Sequence, residues 1–199
     1  NNIFYDKLFT AADEYLNTII SHCEDLELLE DTLIVTISDH GISVGDKLGE
    51  RAYGVFCYDY TLVSNAIFYH KNVNPVSVND QVRSIDILPT ILEILSVPID
   101  PKYDLMQGES LIPFLDGNGV SKIAFSQSGN PLNTGQPPKE PNVWSVRTNE
   151  WKFIRNIHDQ SEELYSLNDD PEEEKNVITL FPEIAVKLRK ELEHQVANT

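Results

Sequence analysis

The protein has 199 residues, of which 41% are hydrophobic, and this suits one large globular domain or one and a half small ones. Its formal net charge of −17 repels nucleic acid and anionic membranes, so neither is an expected partner. There is no run of eighteen apolar residues, so the sequence predicts no membrane span.

The first half of the chain predicts alternating helix and strand. Apolar residues recur every three or four positions from about Phe4 to Leu29, which predicts an amphipathic helix. The apolar, β-branched run at residues 32–38 lacks polar alternation and fits a strand covered on both faces, as in a parallel sheet between helices. After a glycine-rich loop, residues 65–70 predict a second strand. Pro89 is expected at the first position of a helix that follows.

The second half of the chain has a different period. Residues 108–117 predict a short loop with a hydrophobic anchor, and residues 127–142, rich in Pro, Gly and Asn, predict a long loop or linker. Beyond it, "VWSVRT", "EWKFIR" and "EELYSL" predict antiparallel strands, the first two joined near Asn149. A final helix should begin near Pro182.

Together these patterns predict an α/β fold, with part of a mostly parallel sheet sandwiched by helices. A small C-terminal antiparallel sheet with one helix should follow. The expected division is an α/β part at residues 1–126, the linker at 127–142 and the small sheet with its helix at 143–199. The chain opens inside a helical pattern without an initiator Met or a signal peptide, so we expect it to be a piece of a longer protein.

The two cysteines, Cys23 and Cys57, lie in apolar or aromatic surroundings and are expected to be reduced and isolated. They form no disulfide framework. The compartment is left open, although few and unpaired cysteines favour the cytoplasm.

The predicted strand at residues 32–38 ends on Asp39 and His40, followed by Gly41. Ligands gather at the carboxyl ends of parallel strands, and a carboxylate with an imidazole favours Zn or Mn over Ca. In extended chain the two side chains would serve two neighbouring ions, or one ion if the strand breaks at His40. The alternative is that Asp39 caps a turn and His40 is an ordinary loop histidine.

Two cations follow in the glycine-rich loop, Lys47 and Arg51. Either could neutralise an anionic ester oxygen or its leaving group, with Lys47 preferred and Arg51 in reserve. The alternative is a solvated or ion-paired base, for which Asp46 and Glu50 are the obvious partners.

The remaining motifs exclude more than they predict. The acidic run Asn168–Asn176 lacks the spaced oxygens and the central Gly of an EF-hand, and predicts a turn and the acidic first turn of a helix. No nucleophile elbow, phosphate-binding loop or Cys-x-x-Cys is present. The sequence therefore offers a metal half-site and a cation, and no identifiable attacking group.

Four segments occur in the order "LLEDTLIVTISDHG", "VRSIDILPTILEIL", "GESLIPFLDG" and "RTNEWKFIRN…EELYSLNDDPEEEKN". This order resembles that of the sulfatases of the alkaline-phosphatase superfamily. The resemblance implies a large α/β domain with a mostly parallel sheet, a small C-terminal antiparallel sheet, and one divalent metal bound by the residues that match Asp39 and His40. It makes residues 1–126 the C-terminal part of a catalytic domain.

The chain departs from this family in two respects. Many calcium-type sulfatases have Asn at the position of His40, and His there also resembles the phosphonate and phosphodiester hydrolases. The family nucleophile is a formylglycine made from the Cys or Ser of a Cys/Ser-x-Pro-x-Arg segment. Neither Cys23 nor Cys57 has that context, so the formylglycine is expected upstream, in a part this chain lacks.

Three hypotheses follow. The first is a metal-dependent hydrolase of small-molecule or saccharide sulfate esters, of which this chain is the C-terminal part and is inactive alone. The second is a phosphodiester or phosphonate hydrolase, or a phosphoryl transferase, of the same superfamily. The third is a non-catalytic binding module. The metal, the substrate and the oligomeric state stay open.

Overall fold

The computed structural model of the chain describes residues 3–71, 73–100, 105–132, 135–136 and 138–197, with only the backbone of residues 3–5. Its helices are α1 (Ile3–Asp25), α2 (Asp59–Leu62), α3 (Ile87–Ile94), α4 (Ile112–Leu115) and α5 (Pro182–Ala197). Its strands are β1 (Ile34–Ile37), β2 (Ala66–Tyr69), β3 (Ala124–Ser128), β4 (Val143–Arg147), β5 (Trp151–Asn156) and β6 (Glu162–Ser166). None of the helices in the described ranges is both long and apolar enough to cross a bilayer.

The long first helix is confirmed, but it ends four residues before the predicted Leu29. Glu27 has a positive φ of 58°, and the N–H of Leu28 donates to the carbonyl of Cys23 at 2.8 Å. This is the Schellman arrangement, which satisfies the last carbonyls of a helix and stops it. One short 3₁₀ helix, Leu29–Asp31, then leads into β1.

The prediction of a mostly parallel sheet is wrong for the described part of the chain. β1 pairs with β2 in antiparallel register, with Ile34 opposite Tyr69. The reason is the connection between them, which returns to the end where β1 stops: the N–H of Ser38 donates to the Asn65 carbonyl. The two faces are also not covered as predicted, since Ile67 is 62% exposed.

Smaller differences concern α3 and α4. Helix α3 begins at Ile87, so Pro89 is its third residue and not its first as predicted. That position tolerates proline, because the first four N–H groups of a helix have no partner within the helix. The predicted loop at residues 108–117 contains the single helical turn α4.

The C-terminal sheet is antiparallel, with strand order β3-β4-β5-β6. The three predicted strands and the turn near Asn149 are confirmed. β3 was not predicted. It runs across residues 126 and 127, where the linker was expected to begin. Residues 133, 134 and 137 of the predicted linker lie outside the described residues.

Strand residues alternate between the two faces of this sheet, and both faces are packed against other parts of the chain. On one face Val146, Phe153 and Leu164 contact helix α5 through Leu188 and Leu192. On the other face Val143, Ile154, Tyr165 and Leu167 contact Cys57 and Tyr58 of the segment that leads into α2. The small sheet is thus bound directly to the loop that follows Asp39 and His40.

Candidate metal centre

Asp39 and His40 lie beyond the end of β1. The strand stops at Ile37, and the side-chain oxygen of Ser38 accepts the N–H of Asn65 at 3.0 Å. The carboxylate of Asp39 is 87% exposed and the ring of His40 is 39% exposed. Both residues therefore have side chains that a ligand could reach, and neither is held to one face of a strand.

The hydrogen bonds of His40 define which ring nitrogen can bind a cation. Its Nδ1 lies 2.6 Å from the carbonyl oxygen of Gly41. A carbonyl oxygen can only accept, so Nδ1 donates a proton there, and in the neutral ring Nε2 keeps a free lone pair. The edge of the ring meets Tyr53, with the ring centroids 5.5 Å apart.

The Nε2 atom of His40 faces a carboxylate oxygen of its neighbour, Oδ2 of Asp39, at 3.5 Å. The other oxygen, Oδ1, accepts the backbone N–H of His40 at 2.9 Å. Two ligands bound to one tetrahedral cation at about 2.1 Å lie about 3.4 Å apart. The pair thus fits one divalent cation, rather than the two that an extended strand would serve.

This is two donors and not a complete metal site. Within the described ranges, no cluster of three or more His, Cys, Asp or Glu side chains is arranged to hold a metal ion. A zinc ion with a catalytic role takes three protein ligands and a water or substrate. The pair therefore offers two of the ligands that such a site needs.

Gly41 has a tightly constrained position beside helix α2. A Cβ atom there would lie 2.2 Å from the backbone oxygen of Tyr60, and the N–H of Gly41 donates to the carbonyl of Thr61 at 2.9 Å. No larger residue fits this approach of two backbones. The residue that fixes the His40 ring is therefore itself fixed by α2.

A cleft of about 2030 Å³ lies beside the pair and is lined by Asp39, His40, Asp59, Arg147 and Lys152, among others. Pockets for one small ligand are about 300–1,000 Å³, so this is an open face rather than a closed binding pocket. Three cations line this face, Arg83, Arg147 and Lys152, and in a chain with a charge of −17 they are its notable feature for an anionic ligand.

The structure places Lys47 against the small sheet. Its ammonium donates to the backbone carbonyl of Glu173 and lies 4.9 Å from the centre of the Tyr58 ring. Asp46 and Glu50, its expected partners, instead bind nearby backbone N–H groups, including those of Val44 and Val55. Arg51, the reserve, is exposed.

A cluster of four charged residues was not predicted from the sequence: Asp59, Arg147, Lys152 and Glu173. The side chain of Lys152 is fully buried, with its ammonium 2.7 Å from Oδ1 of Asp59 and 3.7 Å from Oε1 of Glu173. Arg147 binds both oxygens of Asp59 through Nε, at 2.8 and 3.1 Å. The only signal was a lysine inside the apolar strand "WKFI".

Burial and charge act on this cluster in opposite directions. Burial alone would raise the pKa of Asp59, but Lys152 and Arg147 outweigh it and hold that pKa below its usual value. Burial raises the pKa of Glu173, and attraction to Lys152 offsets only part of this. The predicted helical first turn around Glu173 is wrong: the segment is a turn in which Glu173 has φ 52° and is 1% exposed.

Comparison with known proteins gives the family. The family model described as N-sulphoglucosamine sulphohydrolase, C-terminal, matches residues 55–198, and the model described as Sulfatase matches residues 4–97. The chain belongs to the sulfatase family of the alkaline-phosphatase superfamily. The first model covers most of the chain, including the small sheet and α5.

Individual relatives agree with this assignment. Human arylsulfatase K is 27% identical over 98% of this chain and 36% of its own length. A phosphonate monoester hydrolase from Silicibacter pomeroyi is 25% identical, with a TM-score of 0.73 over 94% of this chain and 39% of its own. A structure solved with its substrate, D-glucosamine-2-N,6-O-disulfate, has a TM-score of 0.70 at 23% identity and matches 94% of this chain and 38% of its own. The chain thus spans little more than a third of the relatives it matches.

Proposed function

We propose that this chain is the C-terminal part of a metal-dependent hydrolase of sulfate esters, with saccharide sulfates as the substrate class. The observation that supports it most is the convergence of Oδ2 of Asp39 and Nε2 of His40 at 3.5 Å, in a member of the sulfatase family. The substrate class follows from the relative solved with a disulfated glucosamine.

In this proposal Asp39 and His40 supply two ligands to one divalent cation, which supplies Lewis-acid stabilisation of the ester oxygens when bound. The Gly41 carbonyl accepts a hydrogen bond from Nδ1 of His40, which would leave Nε2 to bind the cation. Lys47 remains the proposed ester-binding cation, and it would have to leave its contact with the Glu173 carbonyl to act. The nucleophile, a formylglycine, lies outside this chain, so we expect no turnover of an aryl sulfate by the 199 residues alone.

A metal-binding experiment tests the half-site. Asp39→Asn and His40→Gln should each weaken Mn²⁺ binding to the 199-residue chain by about tenfold or more, measured by electron paramagnetic resonance. Asp31→Asn is the matched control, because Asp31 is an exposed carboxylate at the other end of β1 and its side chain binds Lys71. Equal binding by all four proteins would overturn the proposal.

The second candidate is hydrolysis of phosphonate or phosphodiester substrates. The likeness to a phosphonate monoester hydrolase at a TM-score of 0.73 favours it, as does histidine at position 40. The coding region upstream of Asn1 distinguishes the two. A Cys- or Ser-x-Pro-x-Arg segment there supports the sulfatase proposal, and an unmodified Thr or Ser without that context supports phosphoryl chemistry.

A further inference from the structure

Lys152 occupies a position in the small sheet where an unpaired ammonium would lower the stability of the fold. It stands on β5 directly opposite Arg147 of β4, so two cations face each other across the strands. Like charges in this position destabilise a sheet, and a buried ammonium is costly unless it is paired. The carboxylate of Asp59 lies between the two cations and binds both. The cluster is therefore arranged around a residue that belongs to another part of the fold.

Asp59 is the first residue of helix α2, and three side chains of the small sheet and the turn after it bind this residue. Arg147 and Lys152 bind its side chain, while its backbone N–H donates to Oε2 of Glu173 at 2.6 Å. Both the side chain and the main chain of one residue are thus tied to β4, β5 and the turn after β6. This fixes where α2 begins and how it is oriented.

Helix α2 in turn holds the segment with the metal-binding pair. The N–H of Gly41 donates a hydrogen bond to the carbonyl of Thr61. The carbonyl of Gly41 accepts a hydrogen bond from Nδ1 of His40. The missing Cβ of Gly41 lets its backbone lie against Tyr60. A continuous series of polar contacts and one short helix therefore connects the buried ammonium of Lys152 to the ring of His40.

We propose that Lys152 is a positioning residue for the metal half-site: through Asp59 and helix α2 it sets the place of Gly41, and so the orientation of the His40 ring. The inference rests on the proposed function for its catalytic meaning, but its physical content is the state of the His40 ring. Partners that orient a metal-binding histidine typically change metal affinity by about 10–100-fold when removed. A stabilising ion cluster without this role would leave the ring unchanged.

The test uses the whole 199-residue chain and two measurements. Long-range ¹H–¹⁵N spectra of labelled histidine report the surroundings of each imidazole ring, and the signals lost in His40→Gln identify His40. Mn²⁺ titration reports affinity. In Lys152→Met we expect the ring signals of His40 to shift and Mn²⁺ affinity to fall about tenfold. Lys152→Arg keeps the charge and should retain most of both.

Arg189→Met is the matched control for loss of an ion pair. Arg189 on α5 binds Glu162 of β6 and lies over the ring of Phe153, on the face of the same sheet that is turned away from α2. Its loss should reduce stability to urea and leave His40 and Mn²⁺ affinity unchanged. If Arg189→Met and Lys152→Met alter the ring of His40 equally, general loosening of the sheet explains both and the proposal fails.

Two results decide the remaining cases. A folded Lys152→Met with unchanged His40 signals and Mn²⁺ affinity within twofold of the wild type overturns the inference. If Lys152→Met does not fold, Asp59→Glu replaces it, because it keeps the charge and displaces the start of α2 by one methylene; unchanged His40 signals there also overturn the inference. Should the wild type bind no Mn²⁺, the proposed metal site fails, and the His40 ring alone decides the role of Lys152.

Discussion

In the C-terminal sheet Val146, Phe153 and Leu164 have no exposed surface, whereas Ile37 and Ile67 of the β1–β2 pair leave more than half of theirs exposed. The four-stranded sheet is packed on both faces, by α5 and by the segment before α2. Helix α1 likewise exposes Tyr15 to 74%. Buried apolar area is the main source of stability, so the small sheet is the stable unit of the described chain.

The candidate metal pair lies on the weakly packed side of the molecule. Asp39 and His40 follow β1, which offers few buried contacts, yet Gly41 and α2 connect them to Lys152 and Glu173, the most buried charges among the described residues. Local order does not have to come from local packing. In this chain a rigid sheet can stabilise a site that is distant in sequence through one helix and one aspartate.

The largest expected effect is in the core of the small sheet. Phe153→Ala should lower the free energy of unfolding by about 3–5 kcal/mol, because it removes a fully buried ring and leaves a cavity next to Leu164 and Leu188. Urea unfolding followed by fluorescence measures it. A loss below about 1 kcal/mol would contradict the view that this sheet is the stable unit.

An intermediate effect is expected for the buried acid at the junction of the two regions, and it depends on pH. The raised pKa of Glu173 means that the folded state prefers its protonated form, so this contribution to stability is present below the ordinary value of 4.5 and is lost as pH rises through the folded-state pKa. Glu173→Gln stays neutral throughout. It should therefore gain stability relative to the wild type as the pH rises above about 4.5, measured by urea unfolding.

Glu172→Gln is the control for that measurement, since Glu172 is the exposed neighbour of Glu173 in the same turn. It should follow the wild type at every pH. Asp59 has a lowered pKa and loses its contribution at low pH instead, but it is present in all three proteins and largely cancels in the difference. The same pH profile for both Gln variants would show that burial of Glu173 is not the cause.

The smallest effect is expected in the β1–β2 pair. Ile37→Ala should change the free energy of unfolding of the chain by no more than about 0.5 kcal/mol, because the Ile37 side chain is already 52% exposed. The same urea experiment as for Phe153→Ala gives the answer. A loss comparable to that of Phe153→Ala would mean that β1 packs against something in solution, and the contrast between the two sheets would have to be withdrawn.

Local patterns predicted the elements that make local contacts. The final helix expected near Pro182 is confirmed as α5, and the strands with a turn near Asn149 are confirmed as β4 and β5. Order and motifs also identified the sulfatase family, and adjacency in sequence was enough to select Asp39 and His40 as a pair. These features depend on neighbouring residues, which a sequence displays directly.

Tertiary structure alone decided the direction of β2, the partner of Lys47 and the burial of Glu173. No pattern in residues 38–65 indicates that the connection returns to the end of β1, and so the sheet was predicted to be parallel. Lys152 was not singled out from the sequence, and Glu173 was expected in the first turn of a helix, because their partner, Asp59, lies far away in the chain. A buried charge is tolerable only beside its partners, and that proximity exists only once the chain has folded.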